Sequence, residues 1–366
     1  MGDAKMEPCA NEKYLYAKLY ESLKAEIGAG KYPIDCFLPS EQQIGKIYGV
    51  DRATVRRALK LLVNDGIVEK KAGVGTKVKP YPAPPGNGPI AFFLPKSRMR
   101  ENRITQPFYS TLFYNIEKSC RQQGYQVAYS TLDETDDVGE ILKNGGFSGI
   151  IFVSNILRSH MDYALSQKFP CVLINGYYDK LPCVLQDNVE GTYLACRHLI
   201  SLGHRKIAFL KGIADYISTI ERMRGCLTAM HEQGVPISEK YMTEYDWDTA
   251  SATRATEELL RRLGAGQYPT AIVGFNDASA LGAIQAVARI GLRVPEDVSV
   301  TGFDNVEQAE FSLPSLTTVD TNIPLMAATA VQTLLWQLKN SRMDAIKLVV
   351  PVKLIVRNST APLAIR

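Results

Sequence analysis

No apolar run in this chain approaches the roughly 18 residues that a membrane-spanning helix needs, so no span is expected. The first residues, MGDAKMEPCANEK, lack the apolar core of a secretory signal, which fits a cytoplasmic protein better than an exported one. The seven cysteines (Cys9, Cys36, Cys120, Cys171, Cys183, Cys196 and Cys226) are odd in number, scattered and without a CxxC pair. Neither a disulfide framework nor a zinc site is expected, and a reducing compartment fits. The four histidines, His160, His198, His204 and His231, have no metal-ligand spacing. A Gly-rich phosphate loop and a nucleophile elbow are also missing. The chain therefore reads as a non-enzyme with no metal and no cofactor, and His204, in LGHRK ahead of a strand, reads as a turn or packing residue. Basicity is scarce outside one segment. Residues 13 to 79 hold 13 Lys or Arg against 7 Asp or Glu, a net +6 within a chain of +4, which leaves −2 for the remainder.

That basic segment contains LPSEQQIGKIYGVDRATVRRALKLLVNDGIVEKKAGVGTKVK, residues 38 to 79. Ser40 is placed to cap a helix whose apolar stripe is Ile44 and Ile47, broken at Tyr48-Gly49. Asp51 is placed to cap a second helix, with Val55, Leu59, Leu62 and Val63 as its buried face and Arg52, Thr54, Arg56 and Arg57 in its first two turns. A helix entering a major groove meets bases and phosphates with such N-terminal residues. Two short strands, IVEKK and TKVK, flank the turn Ala72-Gly73-Val74-Gly75. This wing would bring Lys70, Lys71 and Lys77 to the phosphate backbone.

The LPSE start, the GV-x-R-x-TVR-x-AL spacing and the G-x-G-T wing together resemble the GntR-type winged helix, over about sixty-five positions beginning near Tyr14. The resemblance implies that Arg52, Thr54 and Arg56 contact bases and phosphates, helped by Gln42 and Gly73. Ser40, Arg57, Lys71, Gly75 and Lys77 complete the expected interface. Asp51 replaces the Ser or Thr usual in that family and Gln42 the common Arg, and both changes are expected to alter the DNA sequence read or to weaken affinity.

Pro80 to Pro89 holds five prolines and two glycines in ten residues, a composition that precludes a helix, so residues 80–88 are expected to form a linker after a head at 13–79. From Ile90, apolar strand-like runs (IAFFL, YQVAYS, GIIFV, CVLIN, KIAFL, TAIVGF, VSVTGF) alternate with amphipathic helical stretches. This is the pattern of a doubly wound α/β body with parallel sheets, spanning 89–366. Ligands of such sheets bind outside the strands' carboxyl ends.

The segments GTYLACRHLISLGHRKIAFLKG, ERMRG, FNDASALGAIQAV, GLRVPEDVSVTGFDN and PSLTTVD resemble the LacI/GalR effector domain, itself like periplasmic sugar-binding proteins. The resemblance covers about 275 residues. It implies two subdomains, 89–187 with 323–350 and 188–320 with 351–366, enclosing a small ligand. The two-part architecture is similar to that of arabinose repressors. Carried over by position, the ligand contacts fall on Asn175, Arg222, Trp247, Asn276 and Asp304, with Tyr109 as an aromatic wall and Asp187 and Thr321 near the crossings. Planar amide, carboxylate and guanidinium groups suit vicinal hydroxyls, and an indole suits a sugar's C–H face. Asn276 and Asp304 are equally good helix caps, and Arg222 an equally good surface ion-pair partner.

The expectation is a repressor of a carbohydrate operon. It would bind palindromic double-stranded DNA as a homodimer through a helix carrying Ala327, Ala328, Val331 and Leu335, and would be released by a monosaccharide, a pentose such as arabinose among them. The alternative effector is a purine or nucleoside acting as corepressor. A transport-binding protein would need a signal peptide and no basic head. An enzyme using Asp277 or Asp304 would need a partner nucleophile or metal.

Overall fold

The computed structural model describes residues 10–28, 31–33, 36–65, 67–71, 74–78, 88–96, 103–340 and 344–364. The wing glycine Gly73 and residues 80–87 of the expected linker lie outside them. The chain forms two compact units; the head belongs to the first, and every residue of the cavity described below belongs to the second.

The head has three helices, α1 (Ala10–Gly28), α2 (Glu41–Tyr48) and α3 (Arg52–Asn64), followed by a hairpin of β1 (Val68–Lys71) and β2 (Gly75–Val78). Ser40 caps α2 through a reciprocal box. Its hydroxyl accepts from Gln43 N at 3.3 Å, and Gln43 Oε1 accepts from Ser40 N at 2.9 Å. Asp51 caps α3 by accepting from Thr54 N at 2.8 Å. Such caps are each worth about 1 kcal/mol. Leu19, Leu23 and Ile27 of α1 pack with Ile44, Val55, Ala58, Leu59 and Leu62, and Ile67, Val68 and Val78 close the core from the wing. Two expected core residues face out: Ile47 is 58% and Val63 38% exposed. α2 is only two turns long and buries Ile44 alone, while α3 meets α1 through the 55, 58, 59, 62 stripe, which passes Val63 by. The hairpin is antiparallel, with Glu69 opposite Lys77 and Lys71 opposite Gly75.

The remainder alternates strand and helix. A first run holds β3 (Ile90–Pro95), α4 (Pro107–Gln122), β4 (Val127–Leu132), α5 (Val138–Gly145), β5 (Gly149–Val153), α6 (Arg158–Ser166), β6 (Cys171–Ile174) and β7 (Cys183–Gln186). A second begins with α7 (Asn188–Ser201), β8 (Ile207–Lys211), α8 (Ile217–Glu232), β9 (Met242–Glu244) and α9 (Thr249–Leu263). It continues through β10 (Ala271–Gly274), α10 (Asp277–Arg289), β11 (Ser299–Asp304), α11 (Glu307–Phe311) and β12 (Thr317–Asp320). The last elements are α12 (Ile323–Asn340), β13 (Lys347–Val350) and β14 (Lys353–Ile355).

One six-stranded sheet has the order β13-β7-β6-β5-β3-β4 and the other β14-β12-β11-β10-β8-β9. β14 closes the second sheet antiparallel to β12, whereas β8 to β12 pair in parallel. Parallel strands covered on both faces account for the unbroken apolar runs of β5, β6 and β10, buried along their whole length. The chain passes between the sheets after β7, after β12 and after β13.

α12 packs on β5, β6 and β7, and Ala327 and Val331 are buried in that contact. The expectation that these two residues meet a second copy is therefore corrected: they face their own sheet. His204 holds the C-terminal segment, with Nδ1 at 3.1 Å from Thr270 Oγ1 and Nε2 at 3.0 Å from the carbonyl of Ala361. Among the described residues no helix is long and apolar enough to cross a membrane.

Candidate nucleic-acid interface and ligand cavity

The first turns of α3 display Arg52 and Arg56 with side chains 68% and 59% exposed, and Arg57 is exposed beside them. Both arginines reach back to Glu41 at the start of α2. Arg52 Nε lies 3.0 Å and Arg56 Nε 2.9 Å from Glu41 Oε2, and Lys70 of the wing approaches Oε1 at 3.2 Å. Burial pushes the Glu41 carboxyl up, but the three donors outweigh it and hold the group at about 2. Glu41 thus gathers cations from α3 and from the hairpin around one carboxylate. Each cation keeps most of its surface in solvent, where phosphate oxygens and base edges would compete for it.

The other expected interface residues divide. Gln42 and Lys71 are exposed, and Lys77 is half-buried on β2. Ser40 is exposed but its hydroxyl is engaged in the cap. Thr54 departs from expectation: it is buried and its hydroxyl donates to Asp51 Oδ2 at 3.1 Å, so it shapes the start of α3 and shows no hydroxyl to DNA. Gly75 has φ +146, and a Cβ there would sit 3.2 Å from the Phe37 ring; the turn requires glycine for that fit.

The cavity lies at the carboxyl ends of the strands, as doubly wound sheets dictate. Its interior volume is about 60 Å³, and it is partly open to solvent. The first run of the fold contributes Arg103, Gln106, Phe108, Tyr109, Ser154, Asn155 and Asn175; the second contributes Tyr216, Ser218, Arg222, Trp247, Asn276 and Asp304. Several have left-handed backbone: Ser154 (φ 59°), Asn175 (φ 54°), Trp247 (φ 64°) and Asp304 (φ 122°). Strain of this kind concentrates where a fold aims side chains at a ligand. Trp247 rests on Gly212, whose hypothetical Cβ would stand 2.0 Å from the indole, and stacks on Tyr216 with centroids 6.3 Å apart and planes 11° from parallel.

Arg222 is 3% exposed. Its Nε donates to Asn188 Oδ1 at 2.9 Å and its Nη1 to the carbonyl of Phe275, leaving Nη2 directed at Asp304, 3.8 Å away. Burial lowers the Arg222 pKa from its ordinary value, opposed by Asp304, and burial pushes the Asp304 carboxyl well above the usual range, opposed by Arg222. At 3.8 Å the two groups are not hydrogen-bonded, so a ligand hydroxyl has room to bridge them. The Trp247 indole N–H is buried and has no partner among the described residues.

The two amides line the cavity as expected, with their polar atoms also bonded to the protein. Asn276 lines the cavity, yet it caps α10 by accepting from Ser279 N at 2.8 Å, accepts from Tyr245 at 3.0 Å and donates to the carbonyl of Trp247 at 3.3 Å. Its polar atoms are engaged by the protein. Asn175 donates to Ser154 Oγ at 3.0 Å, which in turn meets Tyr109 Oη at 3.1 Å, and it accepts from Gln186 at 2.8 Å. Gln186 also donates to Asn188 at 3.2 Å, and Asn188 to Glu221 at 2.9 Å, so a chain of bonds, partly buried at Tyr109 and buried at Arg222, runs through the first crossing.

Asp187 and Thr321 do not line the cavity. Asp187 caps α7 by accepting from Glu190 N at 2.9 Å and borders a separate hollow with Glu221 and Lys347. Thr321 is fully buried, its hydroxyl donating to the carbonyl of Asp304. Both sit at crossings, where capping and backbone satisfaction use their polar atoms. Sequence reasoning missed Arg103, Gln106, Phe108, Ser154, Asn155, Tyr216 and Ser218. Asn155 follows GIIFV much as Asn175 follows CVLI, and Ser218 precedes Arg222 by one helical turn; these were findable. Arg103 and Gln106 carry no local signal.

Two family models match: "Bacterial regulatory proteins, gntR family" over residues 15–78 and "Periplasmic binding protein-like domain" over residues 196–360. An HTH-type transcriptional regulator, DegA, of Bacillus subtilis is 35% identical over 271 residues, covering 71% of this chain and 79% of the relative. The arabinose metabolism transcriptional repressor of Geobacillus stearothermophilus is 29% identical over 365 residues, covering 94% and 97%. Among solved structures, a LacI family transcriptional regulator from Enterococcus faecium with bound ribose superposes with a TM-score of 0.67 at 25% identity, over 75% of this chain and 99% of that one.

Proposed function

Given that this chain belongs to the LacI/GalR-type transcriptional repressors and carries a GntR-type winged head, we propose that it grips a palindromic operator as a cytoplasmic homodimer and releases it when a sugar fills the cavity. The head would span 13–79, the linker 80–88 and the effector body 89–366. Arg52, Arg56 and Arg57 would read the operator from α3, with Gln42 and the wing lysines placing the head on the backbone.

The observation that carries the effector reading is a set of groups left without full hydrogen-bond partners beside one cavity. Arg222 Nη2 and the Trp247 indole N–H are donors, and the Asp304 carboxylate 3.8 Å from Arg222 is an acceptor. Beside them stands the stacked Tyr216–Trp247 wall. Adjacent hydroxyls of a sugar ring need donors and acceptors together, and its C–H face needs an aromatic plane. A pentose such as arabinose is the first ligand to try, because the arabinose repressor of Geobacillus stearothermophilus aligns over nearly the whole chain.

The linker composition bears on how release works. With five prolines within Pro80 to Pro89, a hinge helix in the DNA minor groove is not expected from the composition, and the proposed signal is a change in the spacing of the two heads of the dimer. A thermal-shift screen of the full chain against pentoses, hexoses and purines tests the effector. A saccharide should raise the unfolding midpoint of the wild type and leave that of Arg222→Met unchanged. A midpoint raised by a purine and by no sugar would overturn the reading.

A further inference from the structure

We propose that Glu221 is a positioning residue of the effector cavity: acting through Asn188, it fixes the direction in which Arg222 presents its free Nη2 to a ligand. The inference rests on the effector reading above for the ligand, and on the protein's own bonds for the positioning. Glu221 does not line the cavity; it borders the separate hollow beside the crossings, with Asn188 and Lys347. It is only 8% exposed, and both carboxylate oxygens are engaged. Oε2 accepts from Asn188 Nδ2 at 2.9 Å, at the start of α7, and Oε1 from Lys347 Nζ at 3.1 Å, on β13 of the other sheet. Lys347 Nζ in turn lies 5.5 Å from the centre of the Tyr177 ring.

Asn188 is 1% exposed, so its amide must satisfy both ends within the protein. Its Oδ1 accepts from Arg222 Nε at 2.9 Å and from Gln186 Nε2 at 3.2 Å. A reversed amide would set Nδ2 against those two N–H groups and Oδ1 against the carboxylate, so the Glu221 acceptor settles which end faces the guanidinium. Without an acceptor there, a buried Nδ2 is left unpaired and the amide gains by turning away. The Arg222 guanidinium is held at two points, Nε by Asn188 and Nη1 by the carbonyl of Phe275, and it lies over the Phe303 ring, 3.7 Å from the centre. Two bonds fix a direction within the guanidinium plane, whereas one leaves a pivot. With Nε released, Phe303 and the Phe275 carbonyl would keep the group in the core, but Nη2 would no longer be held toward Asp304, 3.8 Å away. An ion pair of Glu221 with Lys347 for stability alone would need no bond to Asn188.

The test is the solvent exchange of the Arg222 Nε–H in the full chain, followed by heteronuclear NMR, with the signal identified by its loss in Arg222→Lys. In the wild type this proton should exchange about tenfold or more slowly than those of the exposed Arg254 and Arg261. Glu221→Met should abolish that protection. Glu221→Gln, which keeps an oxygen for Asn188 Nδ2, should recover it to within about threefold. Glu221→Lys combined with Lys347→Glu restores an ion pair between the same two places, which guards the fold, but sets an ammonium donor against Asn188 Nδ2. Protection should be lost there as well. Isothermal titration with arabinose should follow the same order, weaker by about tenfold in the two unprotected variants and recovered in Glu221→Gln. Protection retained in Glu221→Met or in the reversed pair, or lost alike in Glu221→Gln, would overturn the positioning role and leave Glu221 an ion-pair partner only. Arabinose binding indifferent to the loss of protection would overturn it too. Failure of arabinose to bind the wild type would count against the pentose reading alone, and the exchange rates would still decide this inference.

Discussion

Glu41 is a carboxylate within the surface proposed to meet phosphates, and its position explains how that is tolerated. It neutralises Arg52, Arg56 and Lys70 in the free protein and holds their donors in a common geometry. In Glu41→Gln the cations lose that internal counter-charge. Binding to random duplex should strengthen with a steeper salt dependence, and the ratio of specific to non-specific affinity should fall by about tenfold. Anisotropy titrations at two salt concentrations check this, and an unchanged ratio would remove Glu41 from the reading of the operator. Side-chain roles at this scale were only partly legible in the sequence. The caps Ser40 and Asp51 were readable because a cap depends on residues three positions away. Asn276 was ambiguous for the same reason: an Asn after a strand caps a helix as well as it holds a sugar, and only the bonds from Ser279 and Tyr245 decide. Arg103 and Gln106 reach the cavity from a short turn that nothing in their own neighbourhood marks.

At the level of elements, strands with unbroken apolar runs and helices of a dozen residues or more stood out in the sequence. β7, β9, β12, β13 and β14 did not, because strands of three or four residues at sheet edges and crossings have too few positions to show a period. The α12 stripe was legible as a stripe but not as to its partner, since burial against the protein's own sheet and burial against a second copy leave the same pattern. The C-terminal segment past β14 is tied down by His204, and that tie has a pH signature. Burial lowers the pKa values of His160, His198 and His204. The unfolded imidazoles protonate near 6.5 while the buried ones stay neutral. The stability they contribute is therefore complete above about pH 6.5 and is lost as pH falls through their folded values. Asp277, pushed up to about 6 by burial, acts with the opposite sign, its contribution being lost as pH rises. Replacing one histidine separates the two. His204→Asn should lower the unfolding midpoint at neutral pH and make its decline between about pH 7 and pH 5 shallower than in the wild type. Parallel declines would mean that His204 protonation does not contribute.

For the whole molecule, the two-part architecture was the most legible feature, because a basic head, a proline-rich stretch and an α/β body differ in composition before any residue is examined. What the account requires of the molecule is that occupancy of the cavity alters the grip of the head. The chain of hydrogen bonds from Tyr109 to Arg222 through Gln186 and Asn188 joins the cavity's two walls at the first crossing, where closure on a ligand would be felt. The most direct measurement is the affinity of the chain for operator DNA, by fluorescence anisotropy, with and without a saturating saccharide, in the wild type and in Arg222→Met. The expected result is a loss of about tenfold or more on adding the sugar to the wild type and no change in the variant, whose operator affinity without sugar equals that of the wild type. Equal operator affinity with and without a sugar that demonstrably occupies the wild-type cavity would contradict the account.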